Sequence, residues 1–253
     1  MKILNRLNNF ISFKIIPFLT GENKKPYVYI TNLNYLNWRH LKTSILKSKP
    51  YIKGKCVDIG SGNSPYKKII IDGIAEYISV DKSNIHKHMF SSLKEKFIDA
   101  DIKELPFLND SFDTIILTQV LEHIDDPFKA LSEAKRILKK DGVLILSVPF
   151  IYQAHAVPYD YFRFSEFGLK KICNDYNFEI IELHRQGYLG TTIFSIINGF
   201  IWELLSLNKI LRNTIGLPFL LITFAINNLF GLLLDIIKLK NYSPNFWLIL
   251  KNK

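Results

Sequence analysis

Cysteine is scarce: the 253 residues hold only Cys56 and Cys173. Two are too few for a disulfide framework or a closed cysteine-type zinc site, so the chain suits a reducing cytosol. Acids are almost missing from the beginning. Residues 1–55 carry eleven Lys and Arg against one acid, Glu22, whereas the remainder carries 22 charges of each sign, so the net +10 lies at the N-terminal end. A uniform bias would have spread the excess, and a localised one marks a surface for phosphates, of anionic lipid or of nucleic acid. A signal peptide is not expected over 1–19, because Arg6 and Lys14 interrupt the apolar stretch, Pro17 breaks it and no small-residue cleavage site follows. Ile3, Leu4, Leu7, Phe10 and Ile11 instead fall at helical spacing among Lys2, Arg6 and Lys14. That pattern predicts a short basic amphipathic helix, for a membrane surface or for packing on the domain.

What is present is a large apolar fraction, 48% against 22% charged, enough for a sizeable core. From residue 55 short strand-like runs alternate with helices, which predicts an open, mostly parallel α/β sheet. Strands are expected at 55–58, 77–80, 97–100, 114–117, 143–148, 178–183 and 246–250. The best-marked helix starts with Asp126 as N-cap and Pro127 in first position, and is expected to end at Gly142 with Lys139 and Lys140 in its last turn. A second helix is expected over 165–176. The organisation reads as a basic helical segment (1–50), a core (51–187), a hydrophobic helical insert (188–240) and a last strand (241–253).

The G-x-G at Gly60-Ser61-Gly62 follows the first strand, where glycines let a ligand approach the backbone. The third glycine of a dinucleotide fingerprint is missing, its place taken by Pro65. Asp58 beside this turn suits a ligand bearing positive charge rather than a pyrophosphate. Asp81 closes the second strand about twenty residues on, where a carboxylate can accept both hydroxyls of a ribose. Asp101 follows the third, with apolar Ile102 next to it to pack on a ring. Three acids at successive strand C-termini mark the edge at which open sheets bind ligands.

These residues, in VDIGSGNSPY (57–66), ISVD (78–81), DADIKELPF (99–107), NDSFDTIILTQVLEHIDDP (109–127) and LKKDGVLILSVPF (138–150), resemble the class I S-adenosylmethionine-dependent methyltransferases, over about 50–183 plus the last strand. The resemblance implies a Rossmann-like seven-stranded sheet, mostly parallel, with an antiparallel last strand inserted beside the fifth. It implies S-adenosyl-L-methionine as cofactor. Asp58 and the Gly60-Ser61-Gly62 loop would hold its methionine part, Asp81 the ribose, and Asp101 with Ile102 the adenine, with Lys82 a further cofactor-binding candidate. The segment 118–123, with Gln119, would line the methyl-donor side.

For the acceptor, His155, Tyr159, Asp160 and Arg163 cluster after the fifth strand in a segment loosely similar to methyltransferases of cell-surface polysaccharides. Methyl transfer to a hydroxyl needs a base. His155 is the first candidate, with His123 and Asp160 after it, and Tyr159, Asp160 and Arg163 as acceptor binders. The plain alternative is a packed loop, with Arg163 pairing Asp160 and His123 orienting the turn after strand four. No metal is expected, since His86-Lys87-His88 offers two imidazoles without a third ligand. A nucleic-acid substrate is disfavoured because no N/D-P-P-Y/F motif follows the fourth strand.

Residues 186–202 and 213–234 contain no charge. The second run is long enough to span a membrane, but Asn227 and Asn228 near its middle weigh against that. On helices, Thr223, Asn227, Gly231, Asp235 and Lys238 form one polar stripe, and Ser195, Asn198 and Ser206 another, each predicted to be wet along one edge. Two crossings would place Lys209 and Arg212 on the far side, against the positive-inside tendency. A hairpin in one leaflet is therefore expected, with a soluble cap as the alternative. The sum is an enzyme methylating a hydroxyl of a small-molecule, glycan or lipid-linked glycan acceptor at the inner face of the membrane. The rivals are a quinone or lipid methyltransferase and a non-catalytic membrane-associated binding protein.

Overall fold

A computed structural model of the chain describes residues 2–21, 23, 27–82, 96–208, 210 and 212–253. His86, Lys87, His88 and Lys209 lie outside the described residues. The chain forms two compact units, one of residues 44–150, 154–185 and 245–253, the other of 1–43, 151–153 and 186–244.

The first unit is a seven-stranded sheet: β1 (Gly54–Ile59), β2 (Ile74–Asp81), β3 (Phe97–Asp99), β4 (Phe112–Thr118), β5 (Leu138–Pro149), β6 (Phe178–Arg185) and β7 (Asn245–Asn252). Their order is β3-β2-β1-β4-β5-β7-β6. The first five strands pair in parallel, and β7 runs antiparallel to both neighbours, between β5 and β6. Cys56 to Ile59, Thr114 to Leu117 and Val143 to Pro149 are buried without alternation, as strands covered on both faces must be. Val57, Ile115, Leu117, Leu144, Leu146 and Leu248 lie in the core.

Two helices of this unit begin where the sequence predicts, each with a side-chain cap. The Asp126 carboxylate accepts the Lys129 N–H at 3.0 Å at the start of α5 (Pro127–Ile137), and Ser165 Oγ accepts the Gly168 N–H at 3.1 Å at the start of α6 (Glu166–Asp175). The expected end of α5 at Gly142 is wrong. Its buried stripe is Ala130, Leu131, Ala134 and Ile137, and the next position on that stripe is the exposed Asp141. Leu138 pairs instead with Phe112, and Lys139, Lys140 and Gly142 lie in β5. The short α4 (Lys67–Ile70) follows the glycine turn.

The second unit is helical: α1 (Lys2–Phe10), a π-helical turn at Ile11–Ile15, α2 (Ile16–Thr20), the first part of α3 (Tyr35–Ser48), and the hairpin of α7 (Leu189–Ser206) and α8 (Leu217–Leu234). Apart from exposed Lys238, the polar stripes turn inward rather than to water. Asn198 and Asn228 are fully buried, and the Asn198 amide donates to Asn228 Oδ1 at 3.1 Å while accepting from Asn227 Nδ2 at 2.9 Å. Asn228 Nδ2 in turn donates to the Ile30 and Asn32 carbonyls at 2.6 and 2.8 Å, and Asn37 Nδ2 to Ser195 Oγ at 3.0 Å. Apolar helices can leave amides only where other polar groups meet them, so the stripes zip together inside. The opposite faces, with Ile196, Phe200 and Leu204 on α7 and Ile222, Ile226 and Phe230 on α8, point outward. Leu189–Ser206 and Leu217–Ile237 are long and apolar enough, by length and composition, to cross a membrane.

Close approach of α7 to α8 depends on Gly190, where a Cβ would stand 2.2 Å from the Gly231 carbonyl oxygen. Gly190→Ala is expected to destabilise this unit by about 1–3 kcal/mol, the scale of overpacking. Limited proteolysis during a thermal ramp should cut 186–244 at lower temperature than in wild type, and an unchanged profile would contradict the packing.

Candidate active site

The C-terminal edge of the sheet collects the predicted acids. Gly60 has φ +67°, and a Cβ there would lie 2.3 Å from Val120, so both backbone and space require glycine. The Gly60 and Ser61 N–H groups donate to the Val80 carbonyl at 2.8 and 3.2 Å, tying the turn to β2. Asp81 accepts the Gly62 N–H at 2.8 Å and the Lys82 N–H at 2.7 Å, one on each oxygen, leaving a lone pair on each. Asp101 accepts the Lys103 N–H at 2.9 Å and pairs with Lys82 Nζ at 2.7 Å. Burial works to raise the Asp101 pKa, but Lys82 and the backbone donor outweigh it and hold the carboxyl below its usual value. Ile102 beside it is buried.

Asp58 is 3% exposed and accepts the Tyr77 hydroxyl at 2.5 Å. Burial pushes its pKa up to about 7, partly offset by Tyr77 and reinforced by the charge of Asp81. Tyr77 was not foreseen. Its signal is register, since Cys56 pairs with Tyr77 and Asp58 with Ser79, which places Tyr77 on the same face as Asp58. Ser61 Oγ is buried with no hydrogen-bond partner among the described residues. A buried carboxyl, an unpartnered hydroxyl and carboxylate lone pairs along one edge fit a ligand bearing an ammonium and several hydroxyls. Gln119, at φ +57°, is fixed twice to Ser147: its N–H reaches the carbonyl and its Nε2 reaches Oγ, both at 2.8 Å.

A second cluster forms where the turn Leu121–His123 meets the segment after β5. The Tyr161 and Phe162 N–H groups donate to the Glu122 carbonyl at 2.8 and 3.2 Å, fastening the two together. His123 and His155 stand edge to face with ring centroids 4.7 Å apart. His123 Nδ1 lies 2.7 Å from the Tyr159 carbonyl oxygen. His155 donates its N–H to Asp160 at 2.9 Å, and its Nδ1 lies 3.5 Å from the same carboxylate. Arg163 grips Asp160 with both terminal nitrogens at 2.6 Å and holds the carboxyl at about 2, below its ordinary range.

The five residues expected on the acceptor side thus come together, with Asp160 and Arg163 engaged on each other and the Tyr159 side chain exposed. The residue that sequence reasoning passed over is Glu122. Its side chain is 0% exposed, both oxygens lack a hydrogen-bond partner among the described residues, and burial pushes its pKa up to about 8. The available signal was an acid embedded in Val120-Leu121-Glu122-His123-Ile124.

Arg163→Ala would leave the Asp160 carboxylate, 5% exposed, without its charged donor. A loss of about 1.5–3 kcal/mol is expected, as for a hydrogen bond to a charged group. Urea unfolding measures it, and an unchanged midpoint would show that the pair contributes nothing to the loop.

Residues 57–146 match the family described as "Methyltransferase domain". A tRNA U34 carboxymethyltransferase of Campylobacter concisus is 26% identical over 185 residues, covering 59% of this chain and 64% of that protein. A ubiquinone biosynthesis O-methyltransferase of Pelagibacter ubique is 28% identical over 128 residues, covering 46% of this chain and 53% of that protein. The chain spans less than two thirds of the length of either. Among solved structures, the [4+2]-cyclase SpnF matches in fold with a TM-score of 0.55 at 17% identity, over 85% of this chain and 81% of that one. A cyclase on this fold shows that the fold alone does not fix a reaction. Residues 57–146 thus carry a methyltransferase domain, and the strand order is that of the class I S-adenosylmethionine-dependent fold.

Proposed function

We propose that this protein transfers a methyl group to a hydroxyl of a glycan or lipid-linked glycan held at the cytoplasmic face of a membrane. Family members use S-adenosylmethionine. The residues fit it: Asp58 for the ammonium, Gly60, Ser61 and Gly62 for the carboxylate end, Asp81 and Lys82 for the ribose, Asp101 and Ile102 for the adenine, and Gln119 beside the donor. Bound there, the cofactor supplies an electrophilic methyl on a sulfonium, and a neutral thioether leaves.

The observation that carries the reaction type is the His123–His155 pair beside buried Glu122. An oxygen acceptor must lose its proton, and His155 is the group to take it. Asp160 behind its Nδ1 stabilises the imidazolium that results, and positioning supplies the rest of the acceleration. Tyr159 and the Asp160–Arg163 pair make the acceptor side polar, which favours a sugar. The membrane part of the reading is supported by the outward apolar faces of α7 and α8, by exposed Leu7, Phe10, Phe13 and Phe18, and by the basic first 55 residues. A quinone acceptor is the second reading, favoured by the ubiquinone O-methyltransferase relative.

Cofactor affinity should depend on pH through Asp58. A neutral carboxyl at pH 6 must ionise to meet an ammonium, so affinity should rise by at most about tenfold per pH unit up to about pH 7 and then level. It should fall again as the ligand's own α-amino group titrates near about 7.7–8.0. Calorimetric titration between pH 5.5 and 8.5 reads both limbs, and Asp58→Asn should remove the acid limb. A flat profile below pH 7 would place the ammonium elsewhere.

His155→Ala should lower turnover by about 10²–10⁴-fold with cofactor affinity nearly intact, since the loss falls on the chemical step. Turnover within twofold of wild type would move the proton to another group.

The whole reading is tested by incubating the membrane fraction of expressing cells with methyl-labelled cofactor. Label in a glycan or lipid-linked glycan fraction, made by protein released with detergent but not with high salt, is the expected result. Label in quinone alone would select the second reading, and recovery of the protein in the soluble fraction would make the hairpin a cap.

A further inference from the structure

Glu122, His123 and His155 stand in an arrangement that their proposed part in proton transfer does not account for. One ligand atom from each lies within 4.8 Å of the other two. Glu122 Oε1 is 3.8 Å from His123 Nε2 and 4.0 Å from His155 Nε2, too far for hydrogen bonds.

His123 Nδ1 faces the Tyr159 carbonyl, which can only accept, so the proton of a neutral ring sits on Nδ1. His155 Nδ1 stands 3.5 Å from the Asp160 carboxylate, which Arg163 keeps ionised. The His123 Nε2 lone pair is thereby turned toward a buried Glu122 oxygen that has no donor among the described residues, and His155 Nε2 approaches the same oxygen. Ligand atoms of three side chains thus converge on one small space that a cation can bridge.

We propose that Glu122, His123 and His155 bind a divalent transition-metal cation. Two imidazoles and a carboxylate are a ligand set suited to zinc, manganese, iron or cobalt and poor for magnesium or calcium. Ligand atoms on a four-coordinate ion at about 2.0–2.1 Å stand about 3.4 Å apart, so each of the two Glu122 separations need close by only about half an ångström. A ring Nδ1 held on a backbone carbonyl, as in His123, is also the outer-shell pattern of metal-binding histidines. The sequence concealed the site because His123 and His155 are 32 residues apart and the acid lies in an apolar run.

The proposal needs only these three side chains and does not rest on the acceptor reading. With a cation in place, the His155 lone pair is spent on the metal. The cation then polarises the acceptor oxygen, whose proton leaves to solvent. In its absence, His155 accepts the proton directly.

The test uses the full chain with Co²⁺ alone, without cofactor or acceptor, so that its outcome is independent of any turnover assay. Equilibrium dialysis with absorption spectroscopy should show one equivalent of Co²⁺ with visible d–d bands. Glu122→Gln and His155→Ala, each shown folded by circular dichroism, should each weaken binding at least tenfold. In histidine-labelled wild-type protein, substoichiometric Co²⁺ should broaden the NMR signals of His123 and His155 before those of the other histidines, a readout that needs no variant. Binding with equal affinity in wild type and folded variants, or broadening that spares this pair, would overturn the proposal. Absence of a bound equivalent would also overturn it and assign the gap to a shared proton on Glu122.

Discussion

Strand β1 lies between β2 and β4 in parallel ladders that set Asp58 against Ser79 on one side and Ile116 on the other. Parallel pairing brings the C-terminal ends of β1, β2, β3 and β4 to a common edge. That is why Asp58, Asp81, Asp101 and Gln119 lie along one edge although more than sixty positions separate the first from the last. The ladder holds because β1 and β4 are apolar on both faces, so the register cannot slip without losing burial. Gly60 is the second half of the same constraint. The turn leaves β1 at positive φ and passes so close to Val120 that any side chain would push β4's exit away from β1's.

Much of this was legible in the order of residues. Apolar runs of strand length, acids at their ends and the cap Asp126 are local features, and local features read well. The end of α5 did not read, because Lys139, Lys140 and Gly142 form a good helix stop on paper while Leu138 has a better partner in Phe112. Glu122 was hidden for a related reason. Its chemistry comes from burial and from two histidines, one of them delivered by the segment after β5, and neither is visible in Leu121-Glu122-His123 alone.

The hairpin shows the same limit from the other side. Narrow polar stripes on α7 and α8 looked like edges for water, yet Asn198, Asn227 and Asn228 satisfy one another and the carbonyls of Ile30 and Asn32. With the polar atoms spent inside, the outer surface is left to Ile, Leu and Phe. Composition revealed the amphipathicity, and only packing revealed which face turned inward.

The central claim is that the edge made by Asp58, the glycine turn, Asp81 and Asp101 binds S-adenosylmethionine. Calorimetric titration of that cofactor into wild type and a folded Asp81→Ala variant tests it most directly. The account predicts one equivalent bound by wild type, with the variant weaker by about 10–100-fold, the loss of about 1.5–3 kcal/mol carried by a charged hydrogen-bond acceptor. No binding by wild type, or equal affinity in the two proteins, would contradict it.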